Sequence, residues 1–147
     1  VTIDKSGEWW IGNNPQDIQE YLVSFSEDEY PITDFRLCKC KCGSEVFQLE
    51  ADDTEGAARR QCVSCGIDQF ICDCKEHWED TDPETLHCVE CNSIQTNVGV
   101  GFARYQDKSD GIQWIYVGCR CTNCGILGCF TSWKVGYEPS LHLIDEV

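Results

Sequence analysis

Apolar positions change their period as the 147-residue chain proceeds. Ile18, Tyr21, Leu22 and Phe25 recur at i, i+3, i+4 and i+7, the spacing of a single helix face. Asn14 is a suitable N-cap and Pro15 fits a first helical turn, so an amphipathic helix is expected over residues 15–25. Its apolar stripe should pack on the rest of the molecule, with Trp9 and Trp10 covering the same core. From Ile32 onward the pattern is that of short strands. Phe47, Leu49 and Ala51 alternate, a polar turn follows at residues 52–56, and Ala57 to Gln61 leads back as a second strand. A longer hairpin is expected from Val98, Val100 and Phe102, a turn at residues 106–111, and Ile112, Trp114 and Tyr116. Gly99 and Gly101 inside the first of these strands indicate a bulge or the close approach of another backbone. Leu141 and Ile144 in the tail are expected to dock on this second hairpin.

Cysteine gives these short strands a reason to be stable. Thirteen are present, and four short segments bracket the two hairpins: Cys40-Lys-Cys42-Gly43, Cys62-Val-Ser-Cys65-Gly66, Cys88-Val-Glu-Cys91-Asn92 and Cys121-Thr-Asn-Cys124-Gly125. Two thiolates on one tight turn converge on a tetrahedral ion, and the residue after the second must often take positive φ. Gly does so without steric cost and Asn is the next most tolerant. The expected ligands are therefore Cys40, Cys42, Cys62 and Cys65 in one site, and Cys88, Cys91, Cys121 and Cys124 in another, holding two Zn²⁺ with iron as the alternative. The order is knuckle, strand, turn, strand, knuckle, strand in both halves, with 19 and 29 residues between the inner cysteines. Cys38 competes with Cys40 for its position. Cys119 and Cys129 read as small buried hydrophobes. Cys72, Cys74, His77 and Cys38 form a weaker candidate for a third site, and His87 adjoins Cys88 without a motif position.

Other readings of the cysteines are less favourable. A disulfide framework suits shorter secreted chains with an even count, and thirteen is odd. A thioredoxin-like motif places its Cys pair at the start of a helix, whereas Cys65-Gly66 and Cys124-Gly125 lead into β-prone residues. The run His77-Trp78-Glu79 before Cys88 has the elements of a zinc-deaminase signature, but no Pro precedes Cys88 and only eight residues separate the halves. Four thiolates saturate zinc, leaving no position to activate water, so no enzyme is expected.

Charge narrows the choice of partner. The formal net charge is −15 and is concentrated in residues 1–35 (−7) and 66–87 (−6). Loading eight thiolates with two divalent ions brings it to about −19. Such a field disfavours nucleic acid and attracts a basic protein partner. Arg36, Lys39, Lys41, Arg59 and Arg60 form a local basic group about the first site, read as cations beside thiolates rather than as a nucleic-acid patch. No apolar run approaches the ~20 residues of a membrane span and no signal-peptide pattern opens the sequence, so a soluble cytoplasmic protein is expected.

The four knuckles resemble those of the zinc-ribbon group, including rubredoxin-like knuckles, and the chain is similar to acidic bacterial proteins carrying two four-cysteine ribbons. The resemblance covers residues 37–135 and is most specific at Cys62-x-x-Cys65-Gly66 and Cys121-x-x-Cys124-Gly125. Cys40-x-Cys42 is one residue shorter than the usual knuckle, and Cys91 is followed by Asn. The implied organisation is a small, metal-stabilised, mainly β protein. Residues 1–35 form a helical segment packing on the ribbons, 36–83 a first zinc ribbon, and 84–147 a second ribbon with its tail. The implied function is a protein-interaction scaffold, such as an inhibitor or immunity protein for a basic partner. A transcription-associated ribbon and rubredoxin-like electron transfer are the alternatives.

Overall fold

A computed structural model of the chain describes residues 3–7, 9–52, 56–71, 78–88, 90–104, 111–134 and 147. Eight strands form a single antiparallel sheet, with one α-helix against it among the described residues. Their bounds are β1 (Asp34–Leu37), β2 (Phe47–Asp52), β3 (Ala57–Cys62), β4 (Asp68–Phe70), β5 (Glu84–Thr85), β6 (Thr96–Arg104), β7 (Ile112–Cys121) and β8 (Leu127–Lys134). The main path runs β4-β3-β2-β6-β7-β8, with β1 added to β6 and β5 to β2. No helix among the described residues is long and apolar enough to cross a membrane.

Helix α1 spans Asp17–Ser26. The turn before it is tightened by bonds from the amides of Asp17 and Ile18 to the carbonyls of Asn14 and Pro15. The N-cap of the helix is Gln16, with no side-chain cap bond, rather than the expected Asn14, whose Oδ1 accepts the Gln16 amide at 3.1 Å in the turn that leads into the helix. Ile18 and Leu22 are fully buried, while Phe25 remains half exposed at the edge, stacked on Tyr21 and edge-on to Tyr116.

Alternation puts Val98, Val100 and Phe102 of β6 on one face with Ile115, Val117 and Cys119 of β7, in a core shared with Phe47, Leu49 and Ile71. Gly99, Gly101 and Gly118 occupy the opposite face, beneath α1. A Cβ on Gly118 would lie 2.6 Å from Ile18 Cγ2, and one on Gly99 would lie 2.5 Å from Phe35 Cζ. The two glycines singled out in the sequence thus mark a close approach, but of the Phe35 and Ile32 side chains rather than of another backbone. Ile112 parts company with Trp114 and Tyr116: a register shift opposite Ala103/Arg104 turns it into the first core, while Tyr116 packs with the helix.

Strand pairing crosses the expected boundary near Pro83 in both directions. β1 lies beside β6, Asp34 opposite Phe102, and β5 lies beside β2, Glu84 opposite Ala51. The seam between the hairpins is the pair Phe47↔Thr96. The turn at residues 106–111 lies outside the described residues except for Gly111, as do 53–55 of the first turn and the tail residues Leu141 and Ile144.

Candidate metal centres

All four knuckles close with the same pair of backbone bonds, which in Cys40-x-Cys42 span one residue fewer than in the other three. The first Cys of each accepts, through its carbonyl, the amide of the residue after the second Cys: Gly43 to Cys40, Gly66 to Cys62, Asn92 to Cys88 and Gly125 to Cys121, at 2.8–3.0 Å. The amide of that first Cys returns a bond to the carbonyl of Ser44, Ile67, Ser93 or Ile126. Gly43, Gly66 and Gly125 have φ of 96°, 78° and 83°, and Asn92 has φ of 61°. Asn92 is the one non-glycine residue with positive φ among the described residues. The residues chosen from sequence for their tolerance of this conformation adopt it in every knuckle.

These turns bring the sulfurs together in two groups, Cys40, Cys42, Cys62 and Cys65, and Cys88, Cys91, Cys121 and Cys124, each with its four Sγ atoms within 4.8 Å of one another. The closest approaches are Cys40–Cys65 at 3.4 Å, Cys42–Cys62 at 3.6 Å, Cys88–Cys124 at 3.4 Å and Cys91–Cys121 at 3.5 Å. Zinc–thiolate bonds of 2.3 Å in a tetrahedron would set the sulfurs about 3.8 Å apart, so the donor sets fit such an ion in number, type and spacing. Neither group contains a disulfide, and every described cysteine is free.

Backbone amides surround the sulfurs. Those of Ser44, Ile67, Ser93 and Ile126 donate to the second sulfur of each knuckle, and those of Ser64 and Cys65 donate to Cys62. The Cys65 amide, aided by Ser64, lowers the Cys62 thiol to about 6. The Asn123 side chain and the Ser93 amide lower Cys91 to about 6 as well. Cys65 is drawn down by the Ile67 amide but pushed up to about 12 by its contact with Cys40, by burial and by its other thiol neighbours. Burial, and then the thiols around it, push Cys124 up to about 12. The four thiols of each group therefore influence one another's ionisation, and a divalent ion would favour the thiolate form of all four.

The two sites share one end of the sheet. Cys62 lies opposite Phe47, Phe47 opposite Thr96, and Thr96 opposite Cys121, a single row across β3, β2, β6 and β7. Three inter-strand steps separate the two cysteines by about 14 Å.

The remaining thiols behave differently. Cys38 is buried in the first core and bonded through its amide to the Val98 carbonyl, outside the tetrad for which it competed with Cys40. Burial drives its thiol up to about 12 against the pull of Arg60. Burial does the same to Cys119, reinforced by the sulfurs of Cys121 and Cys88. Cys129 donates to the Thr131 carbonyl at 3.4 Å. His87 is no member of the second group. Cys72, Cys74 and His77, and with them the suggested third site, lie outside the described residues.

Two members of the basic group are engaged within the fold, while Arg36, Lys39 and Lys41 stay exposed. Arg59 pairs with Glu50 at 2.6 Å and lies over the Trp78 ring, while Arg60 is buried over the Phe47 ring and donates twice to the Val147 carbonyl oxygen. Neither guanidinium is held out for a phosphate backbone. Compared with known proteins, the chain matches no family model, no curated protein and no solved structure.

Proposed function

We propose that the chain is a non-enzymatic scaffold in which two structural zinc ions, one in each cysteine tetrad, hold two ribbon-like halves and present an acidic surface to a basic protein. The observation that carries this reading is the pair of four-sulfur groups built on matching knuckles. Four thiolates complete the tetrahedral shell of zinc, which leaves its Lewis acidity no open position and gives it a folding role. Amides aimed at the sulfurs offset the anionic charge of such a centre.

The partner is read from charge. A net charge of −15 favours a basic protein and opposes nucleic acid, and the internal engagement of Arg59 and Arg60 removes two cations from any phosphate-binding patch. An inhibitor or immunity protein, covering a basic surface electrostatically, has this charge. Free thiols throughout the described residues agree with a reducing, cytoplasmic setting.

Cross-linked capture from native lysate, followed by reconstitution with each purified candidate at rising salt, tests the reading. The expected result is a defined complex with a basic protein whose association rate falls steeply with ionic strength. Tight binding to nucleic acid with no protein partner would contradict it. Thiolate geometry by itself admits iron as well as zinc, so the same preparation should be colourless; a red ferric chromophore would instead support electron transfer.

A further inference from the structure

Beside the second tetrad lies a cavity of about 340 Å³, at the small end of the range of ligand sites. Cys119 and Leu127, both buried, are among the residues that form its interior, and Tyr21, Phe130 and the partly exposed Trp9 line it as well. The lining is mostly apolar, includes two residues of the tetrad, Cys88 and Cys121, together with His87, and contains no Lys or Arg among the described residues. An acid stands at Trp9, whose indole N–H donates to Glu90 Oε1 at 3.2 Å.

Three aromatic side chains, an apolar interior and negative charge at the wall define a ligand class. Aromatic and aliphatic side chains receive an aryl ring, and nearby negative charge attracts the cation attached to it. A tetrathiolate site holding a divalent ion keeps a charge of about −2, and the surrounding protein is itself anionic. We propose that this cavity binds a compact arylalkylammonium ion, its ring among Tyr21, Phe130 and Leu127 and its ammonium toward the Cys88 and Cys121 side. The charge preference rests on the metal-tetrad reading above; the cavity does not.

Gly128 offers a clean way to close the site. It lines the cavity at ordinary φ, and a Cβ there would meet the Cys119 sulfur at 3.7 Å and nothing nearer, so a side chain can start from this position, and Gly128→Leu is the bulky variant chosen to occupy the cavity. The test is an amide NMR titration of metal-loaded protein, its two bound ions first verified by native mass spectrometry, with phenethylamine, neutral 2-phenylethanol and anionic 3-phenylpropionate. Phenethylamine should saturate with a Kd on the order of 1 mM or tighter, shifting the amides of Thr96, Cys119 and Gly128. It should bind at least about tenfold more tightly than either control. Gly128→Leu should retain both ions and lose at least about tenfold in affinity, and Trp9→Ala, at the exposed rim, should weaken binding in the same direction. Absence of saturable shifts in the loaded protein, or equal binding of the three probes, would overturn the proposal while leaving the metal scaffold intact. Missing metal in folded protein would instead defeat the scaffold reading before any titration.

Discussion

At the residue scale, one stereochemical preference sorted the cysteines. The residue after each second thiol had to tolerate positive φ, and Gly43, Gly66, Asn92 and Gly125 all adopt it. That signal is local, so it was legible in the sequence, and it separated Cys40 from Cys38 where spacing alone left both open. Cys62→Ser or Cys91→Ser should reduce bound metal from two ions to one, whereas Cys38→Ala and Cys119→Ala should keep two; intact-mass measurement under native conditions distinguishes them. The buried alanine variants should still lose about 1–2 kcal/mol through the space they leave. Asn92 gives a finer check. Asn92→Gly should melt within a few degrees of the parent, while Asn92→Val, forcing a β-branched residue to φ near 61°, should cost about 1–2 kcal/mol. Equal melting of the two variants would show that the turn does not demand this conformation.

At the scale of elements, periodicity found the helix and the two long hairpins but not their contacts. Val98, Val100 and Phe102 announce a buried strand face; nothing local announces that the opposite face, bearing Gly99 and Gly101, is flattened to receive Ile18, Leu22, Ile32 and Phe35. Gly118 belongs to the same seat and carries no sequence signal of its own. Gly118→Ala would push a methyl to 2.6 Å from Ile18 and should destabilise the fold by about 1–3 kcal/mol, with Gly128→Ala, facing only Cys119 at 3.7 Å, as the innocuous control in chemical denaturation. Strand β1 was equally hidden, because its partner lies some 65 residues away. It is clamped by a two-bond pair from Arg104 Nε and Nη2 to the Asp34 carboxylate at 2.6 and 2.9 Å. Partial burial opposes the Asp34 charge, but Arg104, Thr33 and Arg36 outweigh it and hold the carboxyl below its ordinary value of 3.8. A depressed folded pKa means that the stabilisation is present above that ordinary value and is lost only as pH falls through the lower folded one. Asp34→Asn should therefore cost less than about 1 kcal/mol, by a margin that stays flat from pH 8 to pH 5. A difference that disappears within that range would contradict the depressed carboxyl.

For the whole molecule, the halves that look tandem in sequence interlock in space. β1 crosses to β6, β5 crosses to β2, and the row Cys62–Phe47–Thr96–Cys121 ties the two sulfur groups through one sheet. Such exchange was illegible because a two-residue strand such as β5 has no period to detect and a seam of one pair leaves no pattern. The apolar core is shared as well: Phe47 and Leu49 of the first hairpin pack in one cluster with Val98, Val100 and Ile115 of the second. Metal lost from one site should therefore loosen strands anchored by the other. The most direct test follows metal content and β-sheet circular dichroism together while a high-affinity chelator is added at a mildly denaturing urea concentration. The account predicts two ions per chain at the start and loss of sheet signal in step with their removal. A chain that gives up both ions and keeps its native spectrum would contradict it.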